Sequence, residues 1–421
     1  MTEFKTLRGM RDLLPDDAGI MIYVQETARK VAKLYGYKEI ITPVVESYEL
    51  LSAKAGDEVR SRMFMFKDLG GRDVALRPEF TASVARLVAT SMRNEPKPFR
   101  IFSMGSAYRY DEPQRGRYRE FWQSDFELIG SPKPEADAEI LMLTDSLIQK
   151  VGLKKFSLKV GHVGIIRGIL GQEKVTEKSQ NAIMQLMDKK QYDDALKLVE
   201  DAGTSKKCLS VIRELVECKG KEIVNVLKKI DAIVKDYENS VAAVENLRTI
   251  LDLVKQAGYN IDLTVDAGFA RGLEYYTGMI FEIFAEGLDI ALGGGGRYDK
   301  LVELFGGQST PAVGVAHGID RMTLAMETQK TEFKTDERPS VLVVSISDEL
   351  KIEALRLARI LREADLWVEV EVMGRKMTKA LEDADRRKIG YVIIVGEREF
   401  REESVVLRDL SKREQRRVPI K

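Results

Sequence analysis

Apolar residues recur with helical spacing over residues 16–34 and stop before Gly36, which predicts an amphipathic helix closed by a glycine. The run EIITPVV (residues 39–45) reads as a strand. Its Pro43 belongs at an edge, a bend or an interface, because proline cannot donate to a central ladder. Residues 99–110 and 120–130 read as two strands joined by the polar turn DEPQRGRYR. Residues 261–285 give two more strands around Gly268 and Gly272, and helical spacing returns over residues 318–327. Between them, residues 171–258 lack Phe, Trp and Pro, with apolar positions such as Cys208, Val211, Ile212 and Leu215, then Val226, Leu227 and Ile230, at helical intervals. This predicts an inserted helical subdomain with solvated charged faces. Beyond a boundary near Pro339, VLVVSI, a helix over 348–364, VEVEV, a helix over 377–388 and YVIIVGE alternate. That order implies right-handed crossovers and a small, largely parallel sheet.

Length and composition narrow the class. A chain of 421 residues is about three domains long. It is large enough to bury its own core without staples. With 44% hydrophobic and 32% charged residues it is globular rather than disordered. Lys plus Arg equals Asp plus Glu at 67 each, so any nucleic-acid contact needs a local patch. The last fourteen residues, with six Lys/Arg against two Asp/Glu, are such a patch, although a solvated edge explains them as well. Two cysteines exclude a disulfide framework and a four-cysteine zinc site, and both read as buried thiols. The N-terminus has no apolar leader and no uncharged run reaches a membrane span, so a reducing, cytoplasmic setting without membrane contact is expected. Two histidines exclude a histidine triad or a multi-histidine metal site.

The strand over residues 120–130 carries the most chemistry. Alternation puts Phe121, Gln123, Asp125 and Glu127 on one face and Trp122, Ser124, Phe126 and Leu128 on the other. Such a polar face ordinarily meets water. Here Arg109 and the turn residues Arg115, Arg117 and Arg119 bring guanidinium forks beside it, which suits a ligand carrying both phosphate and an amine. LRPEFT (residues 76–81) reads as a helix N-terminus with Thr81 near the cap. In FARGLEYYTG (residues 269–278), an arginine, paired tyrosines and flanking glycines suit a pocket wall. Four glycines (residues 293–296) before Arg297, Tyr298 and Asp299 ask for an unusual backbone, of the kind glycine-rich loops use to approach a phosphate. Neither GxGxxG in a βαβ unit nor GxxxxGK[ST] occurs, so Rossmann and P-loop readings fail.

Taken in order, these segments resemble the class II aminoacyl-tRNA synthetases, specifically the histidyl-tRNA synthetase family, over essentially the whole chain. YGYKEIITPVVESYELL resembles motif 1, residues 99–130 resemble motif 2, and PAVGVAHGIDRM resembles motif 3 with Arg321 as its arginine. ARGLEYYTG and ALGGGGRYD resemble the two histidine-specific signature peptides. RKMTK (residues 375–379) and GHVG (residues 161–164) only echo class I motifs and are taken as coincidences.

The resemblance implies an α+β fold. An antiparallel class II sheet flanked by helices would hold residues 1–170 and 259–330, with a helical insertion over 171–258 and a C-terminal α/β anticodon-binding domain over 339–421. It implies histidine activation by ATP with Mg²⁺, then transfer to histidine tRNA by a homodimer. It assigns Arg109 and Arg321 to the α- and γ-phosphates, Arg117 to the β/γ end, and Phe121 to the adenine. Glu79 and Thr81 would take the α-amino group with Gln123 nearby, and Glu127 and Tyr276 the imidazole, with Tyr275 and Tyr298 lining the pocket. Arg271 would bridge the substrate carboxylate and the α-phosphate, and Arg115 and Arg119 would lie near the tRNA acceptor end. Phe80 and Asp125 depart from the common pattern and receive no role. A histidine-binding regulatory paralogue is the rival reading. The presence of Arg109, Arg271, Arg321 and a C-terminal domain weighs against it.

Overall fold

The computed structural model describes residues 4–53, 55–333 and 339–420, which fall into two compact units divided between Phe333 and Lys334. Among the described residues no helix is long and apolar enough to cross a membrane.

The first unit is built on a nine-stranded sheet among the described residues. Its centre is six antiparallel strands in the order Phe99–Tyr108, Glu120–Ile129, Ala312–Gly318, Gly293–Arg297, Met279–Ala285 and Phe156–His162. Short strands extend both edges, Lys38–Glu39 in parallel on one side, then Leu263–Asp266 in parallel and Lys219–Gly220 on the other. The helix Pro15–Leu34 starts with Pro at its first turn and Asp16 and Asp17 at the positive end of its dipole. It ends where Gly36 takes φ +76° and Tyr37 N–H returns to the Ala32 carbonyl. Pro134–Lys150 buries Ile140, Leu141, Leu143 and Leu147. Its Thr144 meets His317 of the sheet at 3.2 Å, on the face where Phe126 packs against Phe102, Tyr37 and His317. The opposite face is left for chemistry.

Two local expectations change. EIITPVV is not one strand: Lys38–Glu39 joins the large sheet, while Val45–Ser47 joins a three-stranded sheet with Asp73–Leu76 and Met65–Lys67. Pro43 sits in the break. There the buried Arg77 guanidinium donates to the Thr42 carbonyl at 3.0 Å and to the Pro43 carbonyl at 3.5 Å, replacing ladder bonds that proline could not continue. The four glycines are not a loop. Gly293–Arg297 is a regular central strand paired on both sides, and none of its glycines has positive φ.

Residues 163–256 are almost wholly helical. Val163–Gln172, Glu177–Asp188, Tyr192–Asp201, Lys206–Val216, Ile223–Val234 and Glu238–Gln256 follow one another. Their apolar stripe, with the free thiols of Cys208 and Cys218, runs into the core beneath the sheet. The second unit has a five-stranded sheet among the described residues, in the order Trp367–Val370, Ser340–Ser345, Tyr391–Val395, Ser404–Asp409 and Glu414–Pro419. The first three are parallel, as the βα alternation predicts. The last two are antiparallel and extend the sheet beyond the alternating βα pattern. The basic tail therefore lies largely in a solvent-facing edge strand, where Arg417 pairs with Glu399 and Glu402.

Candidate functional site

Register makes a trough across the sheet. Asp125, Ala316, Gly294, Glu282 and Lys159 stand in one cross-strand row, and Glu127, Gly314, Gly296 and Ile280 in the next. Glycine is required in both rows because other side chains lie flat where a Cβ would stand. At Gly294 a Cβ would fall 2.0 Å from Arg271 Nη1, and at Gly296 2.9 Å from the Tyr276 ring. At Gly314 it would fall 1.6 Å from Glu127 Oε2. The glycine-rich signature thus supplies depth in the sheet rather than loop amides.

One end of the trough is acidic and phenolic. Glu127, 1% exposed, accepts hydrogen bonds from the Thr81 hydroxyl at 2.8 Å and the Tyr298 hydroxyl at 2.5 Å. Glu79 accepts one from the Tyr275 hydroxyl at 3.0 Å. Tyr275 packs tilted against Tyr276 and edge-on against Tyr298, with ring centroids 4.9 and 5.7 Å away. Burial pushes the Glu127 carboxyl up to about 8; the two hydroxyl bonds oppose this, and the Glu79 charge adds to it. Glu79 is raised by burial too, with Arg109 and the Tyr275 bond holding it back. Among the described residues the buried Gln123 Oε1 has no hydrogen-bond partner. Buried carboxyls raised in this way suit a cationic or proton-donating ligand.

The other end is cationic. Arg109, Arg117, Arg271 and Arg321 line one cleft with Phe121. Arg109 Nε donates to the Pro78 carbonyl at 3.0 Å, with its guanidinium 5.5 Å from the Phe121 ring centroid. Arg321 is held by the Gly116 and Ala291 carbonyls at 3.1 and 2.7 Å. Burial, then repulsion from Arg109 and Arg117, pulls Arg321 down to about 10, so it stays charged at neutral pH. Guanidiniums crowded in this way suit a polyanion, with Phe121 as an apolar surface beside them. Arg271 bridges the two ends. Nη1 reaches the Phe281 carbonyl at 3.3 Å and Glu282 Oε1 at 3.4 Å.

Of the residues singled out in the sequence, Glu79, Thr81, Arg109, Arg117, Phe121, Gln123, Glu127, Arg271, Tyr275, Tyr276, Tyr298 and Arg321 share this cleft. Thr81 opens its helix next to the N-cap, as expected. Phe80 holds the N-cap position of Thr81–Thr90, and the Thr81 hydroxyl is committed to Glu127. Arg115 is exposed on the turn. Arg119 is turned to the Asp111 and Arg8 carbonyls and lies over the Tyr110 ring at 3.6 Å. Phe80 packs beneath the Arg77 guanidinium at 3.9 Å. Asp125 is buried outside the lining, its carboxyl held well above the usual range by burial and by Glu127 and Glu79.

Sequence reasoning missed Asp111, Asp320 and Glu282, which also line the cleft. Asp111 pairs with Arg62 at 3.0 Å, and Asp320 accepts from the Trp122 N–H at 2.5 Å. Glu282 left a signal, being the lone charge in the apolar strand MIFEIFA. Both histidines are structural. Burial lowers each to about 4, with His162 capping a helix and His317 against Thr144.

Comparison with known proteins gives the same family from independent directions. The family model described as "Histidyl-tRNA synthetase" matches residues 9–322, and the model described as "Anticodon binding domain" matches residues 340–421. The chain is 41% identical over 418 residues to a histidine–tRNA ligase of Methanocaldococcus jannaschii, covering 99% of this chain and 98% of that one. It is 36% identical over 424 residues to one of Saccharolobus solfataricus, covering 100% and 97%. Among solved structures, an apo Staphylococcus aureus histidyl-tRNA synthetase superposes with TM-score 0.69 at 25% identity over 99% and 98% of the two chains. A Bacillus halodurans protein titled as an ATP phosphoribosyltransferase regulatory subunit/histidyl-tRNA synthetase gives 0.79 at 26% over 94% and 99%.

Proposed function

Because the chain belongs to the histidyl-tRNA synthetase family, we propose a residue-by-residue account of how its cleft performs that family's reaction. The reaction itself is ATP-dependent activation of histidine to the adenylate, followed by transfer to tRNA. The observation that carries the account is the polarity of one trough. Carboxyls and phenols stand at one end, guanidiniums at the other, and Arg271 lies between them over a glycine floor.

At the acidic end, Glu127 and Tyr276 receive the imidazole, with Tyr275 and Tyr298 closing around it. Glu79, Thr81 and Gln123 take the α-amino group. A pocket of buried hydrogen-bonding groups rejects side chains that leave them unpaired by roughly four to five orders of magnitude, so selection needs no editing site. At the cationic end Arg109 meets the α-phosphate, Arg117 and Arg321 the outer phosphates, and Phe121 the adenine. Mg²⁺ arrives with ATP as part of that substrate. Arg271 and Arg109 hold the histidine carboxylate in line with the α-phosphorus and stabilise the charge that builds on the phosphoryl oxygens. The step is then positioning plus fixed positive charge, with no covalent intermediate on the protein. Histidine is the substrate, consistent with two histidines that are both buried structural groups.

Two variants test the two ends. Arg321→Gln is expected to raise the KM for ATP about tenfold to a hundredfold, the worth of a charge-assisted hydrogen bond, with the histidine KM nearly unchanged. The reverse pattern would move the triphosphate elsewhere. Gly314→Ala forces Glu127 aside and is expected to raise the histidine KM by about tenfold or more, from a packing strain of about 1–3 kcal/mol. Unchanged histidine kinetics would separate Glu127 from the imidazole.

The account extends to the whole chain. Residues 1–170 and 259–330 form the catalytic domain, 171–258 the insertion that meets the acceptor arm, and 339–421 the anticodon-binding domain. Arg115, and more weakly Arg119, approach the acceptor end. The working form is a cytoplasmic homodimer. Ile41, Met65, Phe66 and Leu69, all exposed around the motif 1 segment, support dimerisation because an apolar group of this kind marks an interface.

A further inference from the structure

Arg271 sits on a stretch with no regular secondary structure, residues 269–278, and its own contacts at 3.3 and 3.4 Å are long. The far end of that stretch is tied to the sheet, where Thr277 N–H meets the Arg297 carbonyl at 2.8 Å, but around Glu274 its contacts come from outside the sheet. Glu274 accepts from Asn181 Nδ2 at 3.3 Å and from Gln185 Nε2 at 3.2 Å, both on the insertion helix Glu177–Asp188. Arg60, on the Gly56–Ser61 helix, approaches the same carboxylate at 3.6 Å. Arg167 donates to Asn181 Oδ1 at 2.8 Å, which orients that amide so that its NH₂ faces Glu274. At the end of the insertion helix, Asp188 lies so close to Gly272 that a Cβ there would fall 2.9 Å from Oδ2. From the other side, a Cβ on Gly56 would fall 2.4 Å from the Gly272 carbonyl. Asn181, Gln185 and Asp188 are spaced i, i+4, i+7, a single helical stripe. Ile183, Met184 and Met187 of the same helix are buried and anchor it.

We propose that the helical insertion is a working part of the activation step: its Asn181–Gln185 pair splints Glu274 and thereby holds Arg271 at the reacting centre. The inference rests on the assignment of Arg271 above. Asn181 and Gln185 are positioning residues and touch no substrate. Misplacing a reactive group by about 1 Å can cost about a hundredfold in rate, so a loop whose Arg271 end is tied to the insertion by these bonds makes the rate of adenylate formation sensitive to where the insertion helix lies. Whatever shifts that helix, including contact of the insertion with a nucleic acid, would then change the first half-reaction.

The test uses the full-length protein in histidine-dependent exchange of pyrophosphate into ATP, with thermal unfolding in parallel. The Asn181→Ala/Gln185→Ala double variant should lose about tenfold to a hundredfold in kcat with its melting temperature little changed. Adding Glu274→Ala should cost nothing further, because the three residues act as one unit. Gln185→Lys on the Asn181→Ala background, which can still reach Glu274, should restore most of the rate. A double variant with wild-type kcat, or losses that simply add to that of Glu274→Ala, would overturn the splint. Arg271→Ala, run alongside, separates the two claims. If it is inactive while the double variant is normal, only the splint fails. If it is active, the assignment of Arg271 fails.

Discussion

Arg271→His is expected to fold like the wild type and to lose histidine-dependent pyrophosphate exchange by about a hundredfold to a thousandfold. That is the range for removing one preorganised donor from a developing oxyanion. The guanidinium lies in the space left by Gly294, 20% exposed, where its fork can face a carboxylate and a phosphate together. An imidazole is shorter, offers at most two donors, and is largely neutral near pH 7. The fold should survive because the contacts of Arg271 with the Phe281 carbonyl, Glu282 and the Tyr276 ring are all long. Exchange kinetics with a melting curve check both halves. An active Arg271→His protein would remove the residue from the reacting centre.

Glu127→Ala should raise the histidine KM by about thirtyfold to several thousandfold, corresponding to about 2–5 kcal/mol for truncating a buried hydrogen-bonded partner, while the ATP KM moves by only a few fold. Comparable losses for both substrates would argue against an imidazole contact. The same carboxyl makes a prediction for the empty protein. It titrates at about 8 when folded against a reference value of 4.5. Between these values the folded chain binds more protons than the unfolded one. Glu127's contribution therefore destabilises the fold increasingly as pH rises from about 4.5 to 8. Melting temperatures of wild type and Glu127→Gln across that window should converge at the acidic end, with the variant the more stable at the alkaline end. Parallel curves would show that Glu127 is ionised in the empty site.

The cleft could be read so far in advance because its chemistry sits on short-range patterns. Period-2 alternation grouped Gln123, Asp125 and Glu127, and the turn before them carried the arginines. What alternation could not give was depth. A strand with two carboxylates ordinarily faces water, and only the tertiary pairing with Ala312–Gly318 buries Glu127 over Gly314. The glycine run misled for the same reason. A run of glycines signals a loop until neighbours on both sides impose a ladder, and here the absent side chains are what Arg271, Tyr276 and Glu127 occupy. At residues 39–45 Pro43 marks a bend, as proline should, but nothing local says that the strand divides there between two sheets. In the fold Arg77, 35 residues from Thr42 and marked by no local pattern, takes the carbonyls of the break. Glu282 was legible in principle, as a charge with no polar neighbour along its strand, and so was the stripe of Asn181, Gln185 and Asp188. Without the loop they face, both read as solvated surface.

Histidine-dependent exchange of pyrophosphate into ATP, without tRNA and with the other amino acids as controls, tests the central claim that one trough holds both substrates in line. The account predicts exchange with histidine alone. Histidine binding without exchange would contradict it, leaving a histidine sensor in which Arg109, Arg271 and Arg321 serve some other anion.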